Sequence, residues 1–143
     1  MTDKWGRRLF QSGGALLLLL AAVHAFSLFE PLQPANQTET QLVGLMTNYK
    51  FNLMGSMRSM MDLLRGFSMA FSLQALVVGL LVLALSKERS GLLNRASFIA
   101  ALWLAGLLTV SLTHFFILPT SLLVVTFLLF TAAWLKLPAE REP

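Results

Sequence analysis

The chain has 143 residues, of which 56% are hydrophobic and 13% charged, and it contains no cysteine. A soluble domain carries about 45–50% apolar and about 25% charged residues, so this composition indicates lipid as the main solvent. The lack of cysteine excludes disulfides, thiolate metal sites and thiol chemistry. The net charge of +4 does not indicate a nucleic-acid partner, because the predicted topology divides the basic residues between two sides of a membrane.

Four apolar runs are each long enough to cross the hydrocarbon core of a bilayer, which takes ~20 residues of helix. They are rich in Leu and Ala and do not alternate with polar residues, so helices are predicted rather than barrel strands. The predicted spans are residues 9–29, 67–86, 96–118 and 120–137. The predicted fold class is therefore all-α, a four-transmembrane-helix bundle in which residues 1–143 form a single transmembrane domain.

The distribution of Lys and Arg predicts the orientation of the chain. Four crossings place eight of the 11 basic residues on the side of the termini and of the linker between the second and third runs. The other three, Lys50, Arg58 and Arg65, fall on the opposite side. Because positive charge accumulates on the cytoplasmic side, both termini are predicted to be cytoplasmic. The basic start and the small size are typical of the bacterial inner membrane.

The first run is predicted to be a retained helix. A cleaved signal peptide is the alternative, because a basic start and a Leu-rich core precede the small-residue motif at residues 23–25. The apolar stretch continues to Phe29, which favours retention. Pro31 and Pro34 then end the helix, and the polar residues 35–41 are predicted to be a loop.

Residues 49–66 carry the period of an amphipathic helix. At ~100° per residue one face is apolar and the opposite face is charged. The predicted element is an outer-side amphipathic helix that leads into the second span, on the membrane surface or against a partner. Its methionines are interpreted as an adaptable packing face, with a copper(I) thioether ladder as the alternative. The apolar face consists of Leu53, Met57, Met60, Leu64 and Phe67.

Three charged residues of this segment form a candidate site for a lipid headgroup. Arg58, Asp62 and Arg65 have helical i, i+4 and i+7 spacing, so Asp62 can pair with either arginine. Arginine offers a planar fork of donors to phosphate oxygens. The alternative is a solvated face with a local salt bridge.

Polar residues gather in the predicted outer half of the membrane. His24 and His114 lie close to the outer ends of the first and third spans, at comparable depth because a helix rises ~1.5 Å per residue. Gln74 on the second span and Thr109 and Thr113 on the third fall in the same half. These three residues are predicted to line a polar pocket.

Ionisable residues at membrane depth are candidates for function. His24 and His114 on facing helices can ligate the iron of haem b, or hold a divalent metal together with Asp62 or Glu30, and a proton-handling role is a third alternative. Neither histidine belongs to a diagnostic motif, so the favoured interpretation is a chain without a cofactor. Each imidazole then bonds to a neighbouring helix or reaches the membrane interface.

The third span carries a stripe of small residues at every fourth position, which includes Ser97, Ala101 and Ala105. Such a stripe lets another helix approach closely. It predicts a face for other membrane subunits or for self-association. The segment Phe115–Pro119 is predicted to close this span, which makes the third and fourth helices an antiparallel hairpin.

Three short motifs carry a resemblance to a known family. They are His24 near the end of the first helix, the stretch SMRSMMDLLRGFS that opens the second, and Phe115–Pro119. On these motifs the chain resembles, over most of its length, a family of uncharacterised small bacterial four-helix inner-membrane proteins. The resemblance implies the four-span architecture and no activity. In size and topology the chain is also similar to DoxX-type four-helix proteins.

The sequence contains no Ser/His/Asp order, HExxH, P-loop or glycine-rich nucleotide fingerprint. The predicted function is therefore that of a non-catalytic accessory or structural subunit of a membrane complex. One alternative is a haem- or metal-binding redox protein that uses His24 and His114. Another is a lipid-handling bundle whose outer amphipathic helix covers a pocket between helices.

Overall fold

A computed structural model describes residues 2–139, so Met1 and residues 140–143 lie outside the described residues, together with Arg141 of the charge count. The described chain forms five helices and one antiparallel pair of strands. In chain order these are α1 (Thr2–Ser27), α2 (Gln37–Asn48), β1 (Lys50–Leu53), β2 (Ser56–Ser59), α3 (Met60–Leu85), α4 (Ser90–His114) and α5 (Ile117–Lys136).

Four of these helices, α1, α3, α4 and α5, are long and apolar enough to cross a membrane. The prediction of an all-α integral membrane protein with four spanning helices is therefore confirmed. Most helix ends do not coincide with the ends of the apolar runs, and α1 already begins at Thr2. Hydropathy marks only the part of a helix that suits lipid, whereas Lys, Arg and other good helix formers extend the helix into water.

The chain divides into two compact units, which are described separately. The first unit consists of Met1–Leu20 and Ala75–Pro143, and the second of Ala21–Gln74. The first therefore holds α4, α5, most of α1 and the last part of α3. The second holds α2, the two strands, the end of α1 and the start of α3.

In the first unit, glycines let α1 approach its neighbours closely. A Cβ atom built on Gly14 would lie 2.6 Å from Val82, and one on Gly79 would lie 2.8 Å from Leu18. Small residues are what allows helix backbones to approach in a membrane, where no hydrophobic effect drives association. The rings of Phe10 and Phe130 pack edge to face, with their centroids 5.7 Å apart.

The α4–α5 pair is an antiparallel hairpin, as predicted, and it is fastened at both ends. Near the connection the hydroxyls of Ser111 and Thr120 lie 2.7 Å apart. At the other end Asn94 Nδ2 donates to Trp134 O at 2.7 Å and to Leu137 O at 2.8 Å. These bonds satisfy two carbonyls that the end of α5 leaves without helical partners.

The prediction that Phe115–Pro119 closes the third span needs correction. Helix α4 ends at His114, and α5 begins at Ile117, with Phe116 as its N-cap. Pro119 therefore lies in the first turn of α5. A proline is tolerated there because the first backbone N–H groups of a helix have no helical acceptor in any case.

The predicted amphipathic helix over residues 49–66 is wrong for residues 50–59, which form a β-hairpin. Lys50 pairs with Ser59 and Leu53 with Ser56. The two-residue loop has φ 50° at Met54 and φ 90° at Gly55. Positive φ at both central positions is the geometry of the type I′ hairpin turn, and this turn interrupts the helical period. The second half of the prediction, residues 60–66, is helical as expected.

A capping box begins α3 directly after the hairpin. Ser59 Oγ accepts from Asp62 N at 3.1 Å, and Asp62 Oδ2 accepts from Ser59 N at 3.0 Å. The reciprocal bonds satisfy backbone donors that the first turn of a helix leaves open. The spacing of Ser59 and Asp62 therefore marks a helix start, where the sequence analysis placed the middle of a helix.

Helix α2 replaces part of the loop that was predicted for residues 35–41, and that prediction is wrong from residue 37 onward. Asn36 is its N-cap, with Oδ1 accepting from Glu39 N at 2.9 Å. The Glu39 carboxylate in turn accepts from Ala35 N at 2.7 Å. Polar residues that resembled a loop in the sequence are thus the cap of a 12-residue helix.

Candidate functional site

The second unit exposes apolar side chains on elements that lie between α1 and α3, outside the candidate membrane spans. The exposed fractions are 54% for Leu42 and 65% for Leu45 on α2, and 68% for Tyr49, the C-cap of the helix. These residues share one face at positions i, i+3 and i+7. On the hairpin, Met54 is fully exposed and Met57 is more than half exposed. We call these five side chains the α2–hairpin surface.

Helix α2 contributes no buried residue to the chain. Its contacts reach strand β2, so α2 and the hairpin form one module. A helix of this length is marginal in water by itself and is normally stabilised by burial of an apolar face. Here the apolar face of α2 is left open, since nothing within residues 2–139 buries it.

The second unit carries no net charge. Its acidic residues are Glu30, Glu39 and Asp62, and its basic residues are Lys50, Arg58 and Arg65. Helix α2 itself contains Glu39 and neither Lys nor Arg. The module therefore has no excess of positive charge with which to attract anionic lipid.

The predicted headgroup site is arranged differently from the prediction. Arg58 lies on β2 opposite Phe51, so the prediction that Arg58 and Asp62 are four residues apart on one helix is wrong. The Asp62 carboxylate accepts from the backbone of Ser59. Arg58 Nη1 donates to Met57 O at 3.1 Å, and Arg65 is exposed on α3. Headgroup binding by these residues stays a prediction.

The two histidines lie in different units. In the second unit the edge of the half-buried His24 ring meets Phe71, with centroids 5.0 Å apart. In the first unit His114 Nδ1 lies 2.6 Å from the Thr113 hydroxyl, at the exposed end of α4. Ligation of haem b by both rings stays a prediction. Within residues 2–139 no group of three or more His, Asp or Glu is arranged to hold a metal ion, and the metal hypothesis also stays a prediction.

The residues of the predicted polar pocket are exposed. Thr109 Oγ1 donates to Ala105 O and Thr113 Oγ1 to Thr109 O, both at 3.0 Å, so each hydroxyl is satisfied on its own helix. Thr109 and Thr113 belong to the first unit, whereas Gln74 ends the second. A pocket lined by all three stays a prediction.

The small-residue stripe of α4 is partly used within the chain. Ser97 is fully buried and Ala101 is 7% exposed, whereas Ala105 is half-buried. Ser97 Oγ donates to Leu93 O on its own helix at 2.7 Å. Association with a second chain or subunit through this stripe stays a prediction, and Ala105 is more accessible than Ser97 and Ala101.

Sequence reasoning missed the hydrogen bonds that link the start of α1 to residues 86–90 in the first unit. Arg7 Nη1 donates to Ser86 O at 2.5 Å and to Glu88 O at 2.9 Å. Ser90 Oγ donates to Asp3 Oδ1 at 2.6 Å. From the sequence Arg7 is recognisable only as a basic residue, because its acceptors lie about 80 residues away in the chain and no local pattern identifies them.

We call this end of the first unit the basic end. All charged residues described in the first unit lie there, in residues 3–8, 87–95 and at Lys136. Seven are basic and two are acidic. The two units thus differ in charge, because the second is neutral.

Comparison with protein-family models, curated proteins and solved structures finds no match for this chain. The resemblance to small bacterial four-helix membrane proteins therefore stays a prediction from the sequence motifs.

Proposed function

We propose that this integral membrane protein is a non-catalytic accessory subunit that binds another membrane protein through the α2–hairpin surface. The observation that carries the proposal is the open apolar face of α2, formed by Leu42, Leu45 and Tyr49. Lipid tails cover the exposed apolar residues of the four long helices, but α2 is not one of the candidate spans. A second protein that packs against α2 takes this face out of water.

The charge of the module favours a protein partner over the membrane surface. Helices that lie in the membrane interface are typically rich in Lys and Arg on their polar face, which attracts anionic headgroups. Helix α2 has neither residue. Burial against a protein requires no such charge, and the flexible side chains of Met54 and Met57 suit an adaptable protein contact.

The same proposal includes an orientation in a bacterial inner membrane. The basic end supports cytoplasmic termini, because basic residues are retained on the cytoplasmic side. The segment between α1 and α3 then lies on the outer side, so the partner must present an outer-side surface. Cysteines introduced by Gln37→Cys and Glu88→Cys test this, since both positions are exposed and neither change removes a basic residue. An impermeant thiol reagent should label only the first in intact cells, and the reverse pattern would overturn the orientation.

Site-specific photo-crosslinking in cells tests the partner. A photoreactive side chain replaces Leu45 on the apolar face, and a matched variant carries it at Thr47, which is exposed on the opposite face of the same helix. We expect a discrete protein adduct from position 45 only. The adduct should disappear when Leu42→Glu is added, because a carboxylate on this face opposes burial.

Two results would count against the proposal. Equal adducts from positions 45 and 47 would show contact without a preferred face. Adducts with phospholipid alone would place α2 on the bilayer and support the lipid-handling alternative.

A further inference from the structure

An open groove of about 410 Å³ lies beside α4 and α5 in the first unit. Two aromatic rings form part of its wall, with the centroids of Phe98 and Trp134 5.2 Å apart and their planes at 49°. Ile99 is 65% exposed and Phe98 46% exposed, so the wall is open to the surroundings. The groove is lined by Asn94, Arg95, Phe98, Ile99 and Trp134.

Along α4 the cation comes first and the apolar wall lies deeper, which matches the order of the phosphate and the acyl chain in a phospholipid. Arg95 lies five residues after the start of α4, roughly 8 Å along the axis at ~1.5 Å per residue. Phe98 and Ile99 follow about one turn deeper along the same helix. Trp134 is on the last turn of α5, and tryptophan is enriched at the level of lipid headgroups.

Asn94 fixes the shape of the groove. Its amide holds the carbonyls of Trp134 and Leu137, which joins the end of α5 to the start of α4. Because both acceptors are backbone atoms, the bonds hold the main chain of Trp134 beside the start of α4. The groove is therefore preformed, which lowers the cost of ordering it around a ligand.

We propose that this groove binds an anionic phospholipid, with the phosphate at Arg95 and an acyl chain along Phe98, Ile99 and Trp134. Arg95 supplies the electrostatic part, since one Lys or Arg near a membrane surface favours anionic lipid by roughly a factor of five. A guanidinium has five N–H donors, so Arg95 can bind a phosphate oxygen together with its other contacts. The apolar wall distinguishes a lipid from free phosphate.

Quenching of Trp134 fluorescence by brominated lipids tests the proposal. Trp5→Phe and Trp103→Phe leave Trp134 as the only tryptophan. The protein is reconstituted in vesicles with a low mole fraction of either brominated phosphatidylglycerol or brominated phosphatidylcholine. We expect the anionic lipid to reach half-maximal quenching at a roughly fivefold lower mole fraction. Equal quenching by the two lipids would overturn the proposal.

Two arginine variants separate the groove from the general charge of the basic end. Arg95→Gln should abolish the preference for phosphatidylglycerol. Arg8→Gln removes the same charge from the basic end at a residue that does not line the groove, and it should retain the preference. Loss of the preference in both variants would assign it to overall charge and overturn the assignment to Arg95.

A salt titration tests the proposal with Arg8 and Arg95 both in place, so the result does not depend on whether an arginine variant folds. The preference should fall when salt is raised from 0.1 to 1 M, because the Debye length shortens from about 10 Å to about 3 Å. A preference unchanged at 1 M salt would contradict phosphate recognition.

Inorganic phosphate, added at the same ionic strength, should not compete with the lipid for the groove. Competition by phosphate would identify a free-anion site and overturn the lipid assignment.

Discussion

Gly14 of α1 and Gly79 of α3 face each other with their backbones in contact. A Cβ atom built on Gly79 would lie 3.1 Å from Gly14 O, and one built on Gly14 would lie 3.3 Å from Gly79 O. Both distances are shorter than ordinary van der Waals contact. The two glycines therefore set the distance between α1 and α3 in the first unit.

Alanine at either glycine should destabilise the first unit. The added methyl group of Gly14→Ala meets Val82, and that of Gly79→Ala meets Leu18. Overpacking of this kind costs about 1–3 kcal/mol, which exceeds the gain in helix propensity of about 1 kcal/mol from Gly to Ala. Unfolding of the detergent-solubilised protein, followed by circular dichroism, measures the change in the free energy of unfolding.

Gly106→Ala is the matched control for these variants. Gly106 is also inside a membrane-length helix, but nothing lies within 4 Å of a Cβ atom built there. We expect this variant to be as stable as the wild type or slightly more stable. If Gly14→Ala and Gly79→Ala behave like Gly106→Ala, the close approach of α1 and α3 is not needed for stability.

Removal of the Asn94 amide should loosen the end of α5. In Asn94→Ala the carbonyls of Trp134 and Leu137 lose donors at 2.7 and 2.8 Å. A buried acceptor left without a partner costs about 1–3 kcal/mol. Asn94→Asp should cost more, because a carboxylate would then face two carbonyl oxygens. The free energy of unfolding measures both changes, and a shift in Trp134 emission reports the local opening.

Thr109→Ala is the control for Asn94, because the Thr109 hydroxyl is exposed and bonds only within its own helix in the described contacts. Exposed substitutions of this kind change stability by at most about 0.5 kcal/mol. An Asn94→Ala protein as stable as Thr109→Ala would show that the two bonds do not hold the helix ends together.

Hydropathy was sufficient to predict the four long helices and the antiparallel α4–α5 pair. It was misleading between residues 49 and 59, because Leu53 and Met57 fit a helical period although the turn between them reverses the chain. The decisive signal was Gly55, which the sequence analysis counted as part of a helix. A positive φ at this glycine is a property of the turn, and apolar periodicity does not report it.

Long-range contacts account for most of what was missed at the candidate sites. The contact of Gly14 with Gly79 and the bonds of Arg7 to Ser86 and Glu88 join residues far apart in the chain. Nothing in the local pattern selects these partners. The predicted helical spacing of Arg58 and Asp62 was wrong for a local reason, since a serine three residues before a carboxylate also forms a capping box that begins a helix.

Loss of the Ser59 hydroxyl should fray the first turn of α3. Ser59 is 2% exposed, and its Oγ accepts from Asp62 N. Replacement of an N-cap serine by alanine costs about 1 kcal/mol. Hydrogen exchange of the backbone amides of residues 60–63 should accelerate in Ser59→Ala and remain close to wild type in Ser59→Asp, which retains a capping oxygen. Ser56→Ala, an exposed change in the same strand, should leave exchange at residues 60–63 unaltered.

Gly55→Ala should weaken the hairpin through its backbone alone. Nothing lies within 4 Å of a Cβ atom at this position, but φ is +90°, which an alanine adopts at a cost of about 1–3 kcal/mol. Met54→Asn should have the opposite effect, since Asn before Gly is the preferred pair in a type I′ turn. Hydrogen exchange at Lys50–Leu53 should therefore be faster in the first variant and slower in the second. Equal exchange in both variants would show that the turn does not determine the stability of the hairpin, and hence that the α2–hairpin surface is held in place by other contacts.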